Sequence, residues 1–394
     1  MGAMEGSARR RPRYRWVVLA AATATQVAFS ALQTGLPALG PALRTEFGLS
    51  LPALGAVLGA TSLGTVGTVY AWGVLADRLG ERWVLLGGLL GAAGALAAAS
   101  AAGSASVLAA ALLLAGALGG CTTAASARAV MGWFGTEERG LALSARHTGV
   151  PVGAAGAALA LPPFAAFAGV SGAFLLLAGL ALGGAAAAGL LIRDPPAGDG
   201  DDATTPRAPA PWRNRRLWRL ALGCGLLIGP QYSLGAFFPV FLHDAQGWSQ
   251  AAAGGGLAAA LGLSAIGRLV AGRWSDRRGN RVAPLRVLAL SGAAAAGVAG
   301  ALAGSSGAVV VPVLLVALVL LWSWNGVAFA AAGELSGPAQ AGAALGLLMT
   351  VLFAVGAVSP PLFGAIVEAG SWPAGLASVT IAALCAWRVL APLS

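Results

Sequence analysis

Lysine is absent from this chain: all 24 of its basic side chains are arginines. Carboxylates are scarce as well, 14 among 394 residues, and charged residues of both signs reach only 10%. A soluble protein of this length needs a far more charged surface, so a water-soluble fold around one core is excluded. The three cysteines, Cys121, Cys224 and Cys385, fall in separate apolar runs without metal-type spacing. That pattern speaks against disulfides and against zinc. Neither a nucleophile–base arrangement nor a Gly-rich phosphate loop ending in Lys occurs, so the sequence predicts no enzyme, no cofactor and no metal. In so Ala- and Gly-rich a chain, Arg in place of Lys reflects genomic base composition and carries no functional weight.

Apolar sequence is abundant: 58% of residues are hydrophobic and the mean hydropathy is +0.80. Runs of about 20 residues, the length a hydrocarbon core of ~30 Å demands, recur along the chain. They cover 16–39, 52–75, 83–102, 106–131, 140–166 and 172–192, then 217–241, 249–271, 283–303, 308–331, 342–366 and 372–391. The first run follows SARRRPRYRW and superficially looks like a signal peptide, but it is long enough to span and reads as a retained helix. Between the sixth and seventh runs, RDPPAGDGDDATTPRAPAPWRNRR reads as a solvated linker. The predicted fold class is therefore an all-α membrane protein: twelve transmembrane helices in two pseudo-symmetric six-helix bundles. Its parts are a cytoplasmic tail (1–15), an N-terminal bundle (16–192), a cytoplasmic linker (193–216) and a C-terminal bundle (217–394).

A net charge of +10 could suggest nucleic acid, but the arginines sit in short clusters between apolar segments, which is how topology is signalled. Arg9, Arg10, Arg11, Arg13 and Arg15 precede segment 1. Arg78 and Arg82 separate segments 2 and 3, and Arg139 separates 4 and 5. Arg193, Arg207, Arg213, Arg215 and Arg216 flank or occupy the linker, and Arg273, Arg277, Arg278 and Arg281 separate 8 and 9. Only Arg44 lies on the other side. The positive-inside rule then places both termini in the cytoplasm of a multi-pass protein, with the lipid bilayer and not nucleic acid as its surroundings.

One stretch occurs twice. GVLADRLGER at Gly73–Arg82 returns as GRWSDRRGNR at Gly272–Arg281, with Gly73, Asp77, Arg78, Gly80 and Arg82 each matched 199 residues later. Two equivalent halves of six helices are a transporter architecture, with substrate at their interface near the midplane. This repeated loop resembles the signature of the major facilitator superfamily, and the resemblance spans essentially the whole chain. It implies a cytoplasmic latch built from Gly73, Asp77, Arg78, Arg82, Gly272, Asp276, Arg277 and Arg281. In that latch Asp77 would face the amino end of segment 11, whose dipole favours a carboxylate, while Arg78 and Arg82 tether neighbouring helices. WFGTEERGLALSARHTGVPVG (Trp133–Gly153) and ELSGPAQAGAALGLLMTVLFAVGAVSPPLFG (Glu334–Gly364) look like the corresponding regions of monocarboxylate transporters and oxalate–formate exchangers. Arg268 stands where those organic anion carriers hold a substrate-binding arginine. The chain departs from the monocarboxylate transporters in two places, Ser264 in place of an acidic residue and no basic residue in segment 1, and from the nitrate carriers, which share the Arg268 position, in having no arginine in segment 2. The resemblance therefore fixes neither substrate nor coupling ion.

Ionisable groups within spans are costly, about 2.5–3.5 kcal/mol each on insertion scales, and usually face a cavity. Here they are Arg128, Arg146, His147 and Arg268, with every carboxylate in a loop or at a helix end. A cationic interior suits an anion, and guanidinium can hold a carboxylate in bidentate fashion. Arg128 and Arg268 lie close to helix ends and could instead snorkel. His147 points about 100° away from Arg146 around the helix; it is the proton-coupling candidate, or a histidine bonded between helices. Gln26, Ser30 and Gln33 share a face of segment 1, as do Thr122 and Ser126 of segment 4. Gln231 and Tyr232 sit beside Pro230 at an expected bend of segment 7, and Trp322, Trp324 and Asn325 lie on segment 10. Such polar groups either line a site or join helices. GVPVGAAG in segment 5 and GAVSPPLFG in segment 11 read as the moving interface.

The function expected is a secondary active transporter, symporter or antiporter, of the bacterial cytoplasmic (inner) membrane. It would carry a small organic anion, a carboxylate, by alternating access as a monomer, with protons the candidate coupling ion. Arg146, Arg268, Gln33, Gln231, Tyr232 and Asn325 would contact the substrate. The alternative is an efflux transporter for drugs or other amphipathic compounds, because GLALSARHTGVPVG loosely resembles an antiporter signature. A membrane enzyme or sensor has little support.

Overall fold

Hydrocarbon offers no partner to a backbone N–H or C=O, so a spanning segment must satisfy its own peptide groups, which an α-helix does. The computed structural model describes residues 2–135, 138–193, 213–337 and 340–393, and every regular element among them is helical. Positions 194–212, most of the expected linker including Arg207, lie outside the described residues, as do the side chains of 2–12 and of Arg139. Eleven helical stretches are long and apolar enough to cross a bilayer.

The first rod begins as α1 (Gly2–Ser30), passes through a π turn (Ala31–Gly35) and a 3-10 turn (Leu36–Leu39), and ends as α2 (Gly40–Phe47). Helices α3 (Leu51–Leu79), α4 (Glu81–Ser100), α5 (Ala105–Gly119), α6 (Cys121–Trp133), α7 (Arg139–His147) and α8 (Gly149–Leu191) complete the first half of the chain. The second half contains α9 (Arg215–Val240), a π turn (Phe241–Ala245), α10 (Gln250–Arg278), α11 (Val282–Ala301), α12 (Gly307–Trp322), α13 (Asn325–Ser336), α14 (Ala341–Ala369) and α15 (Trp372–Leu390). At 43 residues α8 would be about 65 Å long if straight, twice what a bilayer core accepts. Gly169 divides it, with φ 73° and ψ 171°, a conformation open only to glycine.

The sequence repeat is also a backbone repeat. Helices α3 and α10 each have 29 residues, and α4 and α11 each have 20. Ser50 caps α3 by accepting from the Ala53 N–H at 3.3 Å, and Ser249 caps α10 from Ala252 at 3.2 Å. Positive φ recurs at Gly48 and Gly247 before these helices and at Gly80 and Gly279 after them, with the 199-residue offset of the charged motif.

Lipid is as apolar as leucine, so association rests on close packing of small residues. Within the first half, α8 lies against α1: a Cβ on Gly149 would stand 2.9 Å from the Thr23 carbonyl oxygen, and one on Gly153 would collide with that of Val27. The GVPVG stretch expected at the moving interface is thus locked inside its own half, because its two glycines face α1. The two chain halves meet elsewhere. A Cβ on Gly55 of α3 would lie 2.6 Å from the Pro360 carbonyl oxygen of α14, and one on Gly364 would lie 2.8 Å from the Pro52 nitrogen. Further along, α8 meets α10, where a Cβ on Gly254 would stand 2.7 Å from Pro162. Arg44 pairs with Asp244 at this same end, and Glu368 accepts from the Leu51 N–H at 2.8 Å, closing the amino terminus of α3. The opposite, arginine-rich end of the same helices lacks such glycine contacts. Gly67 and Gly73 of α3 and Gly342 and Gly346 of α14 have open space where a Cβ would project.

Candidate functional site

Five of the apolar segments carry a break or an irregular turn among the described residues: the fifth breaks at Thr148, between α7 and α8, and the other four occupy equivalent places in the two chain halves. The first and seventh apolar segments carry the π turns at Ala31–Gly35 and Phe241–Ala245. The fourth breaks at Gly120, between α5 and α6, and the tenth at Ser323–Trp324, between α12 and α13. A π turn or break frees carbonyls and amides that a regular helix would use, which is why such irregularities gather at functional sites. Helix α9 runs unbroken through Pro230, so the irregular turn of segment 7 falls at Phe241 and not at the expected proline.

Arg146 ends α7 and turns inward, 6% exposed. Its Nε donates to Ser126 Oγ at 2.8 Å, and its Nη2 to Gln26 Oε1 at 2.7 Å and to the Thr122 carbonyl at 2.9 Å. Gln26 in turn donates to Ser30 Oγ at 3.2 Å. The polar faces legible on segments 1 and 4 are therefore brought together as a cradle for one guanidinium. Burying that cation without them would cost several kcal/mol. Its Nη1 donates to none of the described residues.

Arg268 lies about five turns along α10 and is half-buried. Its Nε donates to the Trp322 carbonyl at 2.9 Å, at the break that ends α12. Trp322 donates its indole N–H to the Gln231 carbonyl at 3.0 Å, so segments 7, 8 and 10 are joined through this one tryptophan. Neither Nη of Arg268 donates to a described residue. Tyr232 lies near Ser62 of α3 and near Arg268. His147 turns away from Arg146, as the helical spacing predicts, and meets Phe329 of α13 edge to face, ring centroids 5.8 Å apart. Both Arg146 and Arg268 are near enough to His147 to act on it electrostatically.

Several buried polar atoms around the interrupted helices have no partner among the described residues: Gln33 Nε2, Gln231 Oε1, Asn325 Oδ1 and Trp324 Nε1. Each such group costs about 1–3 kcal/mol, so native proteins rarely leave them without a reason. Gln33, Gln231 and Asn325 are read from the sequence as substrate contacts; Trp324 is named there only as a polar group of segment 10. Its full burial and unused N–H are visible only once the break at Ser323 is known.

The charged ends are arranged differently from the latch that the resemblance implies. Asp77 pairs with Arg128 of α6, which also donates through Nε to Glu81 at 3.2 Å. Arg128 therefore belongs to a charged cluster at the arginine-rich end and not to the central site. Arg78, exposed, has no ion pair among the described residues, and Arg82 stacks on Trp83 at 5.2 Å. In the second copy, Arg281 pairs with Asp276 and donates through Nε to Glu334 at 2.7 Å, while Arg277 is exposed. Those bonds, the one to Asp276 foremost, hold the Arg281 guanidinium above its ordinary pKa. The signs are reversed between the copies: the fourth segment supplies a cation to the first loop, and the tenth an anion to the second. Gly73 and Gly272 face open space.

Long apolar helices in two repeated halves, interrupted at equivalent places, are the architecture of a membrane transporter. Residues 18–360 match the model of the Major Facilitator Superfamily, and the chain belongs to that family. It is 34% identical over 361 residues to two uncharacterized MFS-type transporters of Mycobacterium tuberculosis, MT3072 and Rv2994, covering 91% of this chain and 81% of each relative. Among solved structures, it is similar to a bacterial homolog of the human lysosomal transporter Spinster in an inward-facing, occupied conformation. The TM-score is 0.77 at 18% identity, covering 96% of this chain and 95% of that one. It is also similar to the nucleoside transporter NupG, with a TM-score of 0.75 at 14% identity, covering 96% and 99%. At such identities the likeness is one of fold.

Proposed function

We propose that this multi-pass transporter moves a small organic anion, a carboxylate, by alternating access. The observation that carries the reading is a set of guanidinium N–H groups without acceptors among the described residues: both Nη groups of Arg268 and Nη1 of Arg146. Among the described residues every carboxylate lies at a helix end or loop, so the centre is cationic. A substrate carboxylate would supply the missing acceptors in charge-assisted, bidentate geometry. Gln33, Gln231, Asn325 and Tyr232 then complete its hydrogen bonds, and His147 carries the coupled proton in symport or antiport.

The same reading sets the topology. The break at Gly169 turns the longest helix into two crossings, giving twelve in two bundles of six. The arginine-rich end faces the cytoplasm with both termini, in the cytoplasmic membrane of a bacterium, and the unit is a monomer. The open space at Gly67, Gly73, Gly342 and Gly346 corresponds to a state open to the cytoplasm, in which Asp77 has left the amino end of α14 for Arg128. Closure there and opening at the Gly55–Pro360 end complete the cycle.

Uptake into proteoliposomes, compared for small carboxylates, inorganic anions and lipophilic cations, tests the proposal. Saturable carboxylate flux is the expected result. Flux confined to lipophilic cations would contradict it.

A further inference from the structure

A second cationic feature lies outside the central site. Between α9 and α15 the surface holds a groove of about 560 Å³, lined by Trp218, Arg219, Leu222, Arg388, Val389 and Pro392. That volume falls within the range of small-ligand sites, about 300–1,000 Å³. Beside the groove α9 and α15 pack closely: Leu390 lies over Gly223, where a Cβ would stand 2.6 Å from Leu390 Cδ2. Arg219, one turn earlier on the same face of α9, is thereby set beside Arg388 in the last turn of α15.

Three properties define what the groove can hold. It is cationic: neither Arg219 nor Arg388 has an ion-pair partner among the described residues. The described carboxylates of the second half are engaged elsewhere, Asp244 with Arg44, Asp276 and Glu334 with Arg281, and Glu368 with the Leu51 N–H. Its walls are apolar and exposed, Trp218 at 44% and Leu222 at 56%, as expected of a surface against acyl chains. It sits at helix ends, where α9 starts and α15 stops, the depth at which tryptophan and arginine meet headgroups. A soluble anion would have no use for the apolar wall, and a neutral lipid none for two unpaired guanidinium groups.

We propose that this groove binds the phosphate headgroup of an anionic phospholipid, with Arg219 and Arg388 on the phosphate and Trp218 and Leu222 along the first part of an acyl chain. Native mass spectrometry of the full chain, titrated with phosphatidylglycerol or phosphatidylcholine, measures this directly. Wild type is expected to retain phosphatidylglycerol in preference to phosphatidylcholine. Arg219→Gln/Arg388→Gln should bind it roughly thirtyfold more weakly, and Arg219→Lys/Arg388→Lys should keep most of the affinity. Arg273→Gln/Arg278→Gln removes two charges from another helix, α10, and should leave binding unchanged. Equal losses in the two glutamine pairs would overturn the proposal, since general surface charge would then suffice. Displacement of the lipid by millimolar inorganic phosphate would overturn it too, by assigning the groove to a soluble ion. Monodisperse elution of each variant establishes that it is folded.

Discussion

Arg268 donates its Nε–H to the carbonyl of Trp322 at 2.9 Å, across the point where α12 gives way to α13. The bond occupies one edge of the guanidinium and fixes its plane, leaving both Nη groups for a ligand. It also satisfies a carbonyl at a helix end, where four such groups lack intrahelical partners. One side chain therefore stabilises the break and presents the cation.

Arg268→Lys tests the fork. Lysine keeps the charge but is a point donor, unable to hold the Trp322 carbonyl and a carboxylate in one plane. A charge-assisted hydrogen bond is worth about 1.5–3 kcal/mol, so anion affinity should fall roughly tenfold to a hundredfold. Transport of labelled carboxylate against concentration gives the comparison; an unchanged half-saturation would remove the fork from the account.

Arg146 should behave differently, because most of its donors are engaged within the protein. Arg146→Ala leaves Gln26, Ser126 and the Thr122 carbonyl without their donor and should lower stability by about 1–3 kcal/mol, the cost of unsatisfied buried polar groups. Gln26→Ala alone should cost about 1–2 kcal/mol. Thermal unfolding of the two single variants and the double should be strongly non-additive, since one network is being dismantled.

The closed end rests on glycine contacts more than on charge. The Arg44–Asp244 pair is partly exposed, its side chains 29% and 33% accessible, and pairs of this kind contribute about 0.2–1 kcal/mol. Asp244→Asn should thus shift the conformational equilibrium less than about fivefold. Gly55→Val places methyl groups against the Pro360 carbonyl and should open that end outright, overpacking costing about 1–3 kcal/mol. Accessibility of cysteines placed along the closed end would rank the two; a larger response to Asp244→Asn would reverse this assignment.

His147 faces Phe329 of the second chain half while Arg146 is anchored in the first, so its surroundings change whenever the halves move. His147→Gln should flatten the dependence of carboxylate flux on an imposed pH gradient while leaving exchange at equal pH nearly intact. Persistence of the wild-type pH response would exclude His147 as the proton carrier.

Much of this was legible in the sequence because membrane helices are written in long, simple periods. The apolar lengths give the spans, and the 199-residue spacing of Asp77 and Asp276 gives the repeat. The i, i+4 pairs Gln26–Ser30 and Thr122–Ser126 are visible as polar faces, though not that both serve Arg146. Partner choice is the illegible part. Gly149 and Gly153 make a flat face that any helix could use, and only the folded chain shows it pressed on α1. Asp77 pairs with Arg128 of α6, a partner that its place in the repeated loop does not announce. The π turns are equally hidden, since shifting one hydrogen bond leaves no mark in the residue pattern of Ala31–Gly35 or Phe241–Ala245.

The most direct measurement is carboxylate binding to purified protein, wild type beside Arg268→Ala, read by ligand-induced thermal stabilisation in the absence of any gradient. Wild type should be stabilised by a small carboxylate and not by a lipophilic cation, and Arg268→Ala should fold but lose that response. An Arg268→Ala protein stabilised by the carboxylate as strongly as wild type would contradict the assignment of this guanidinium to the anion.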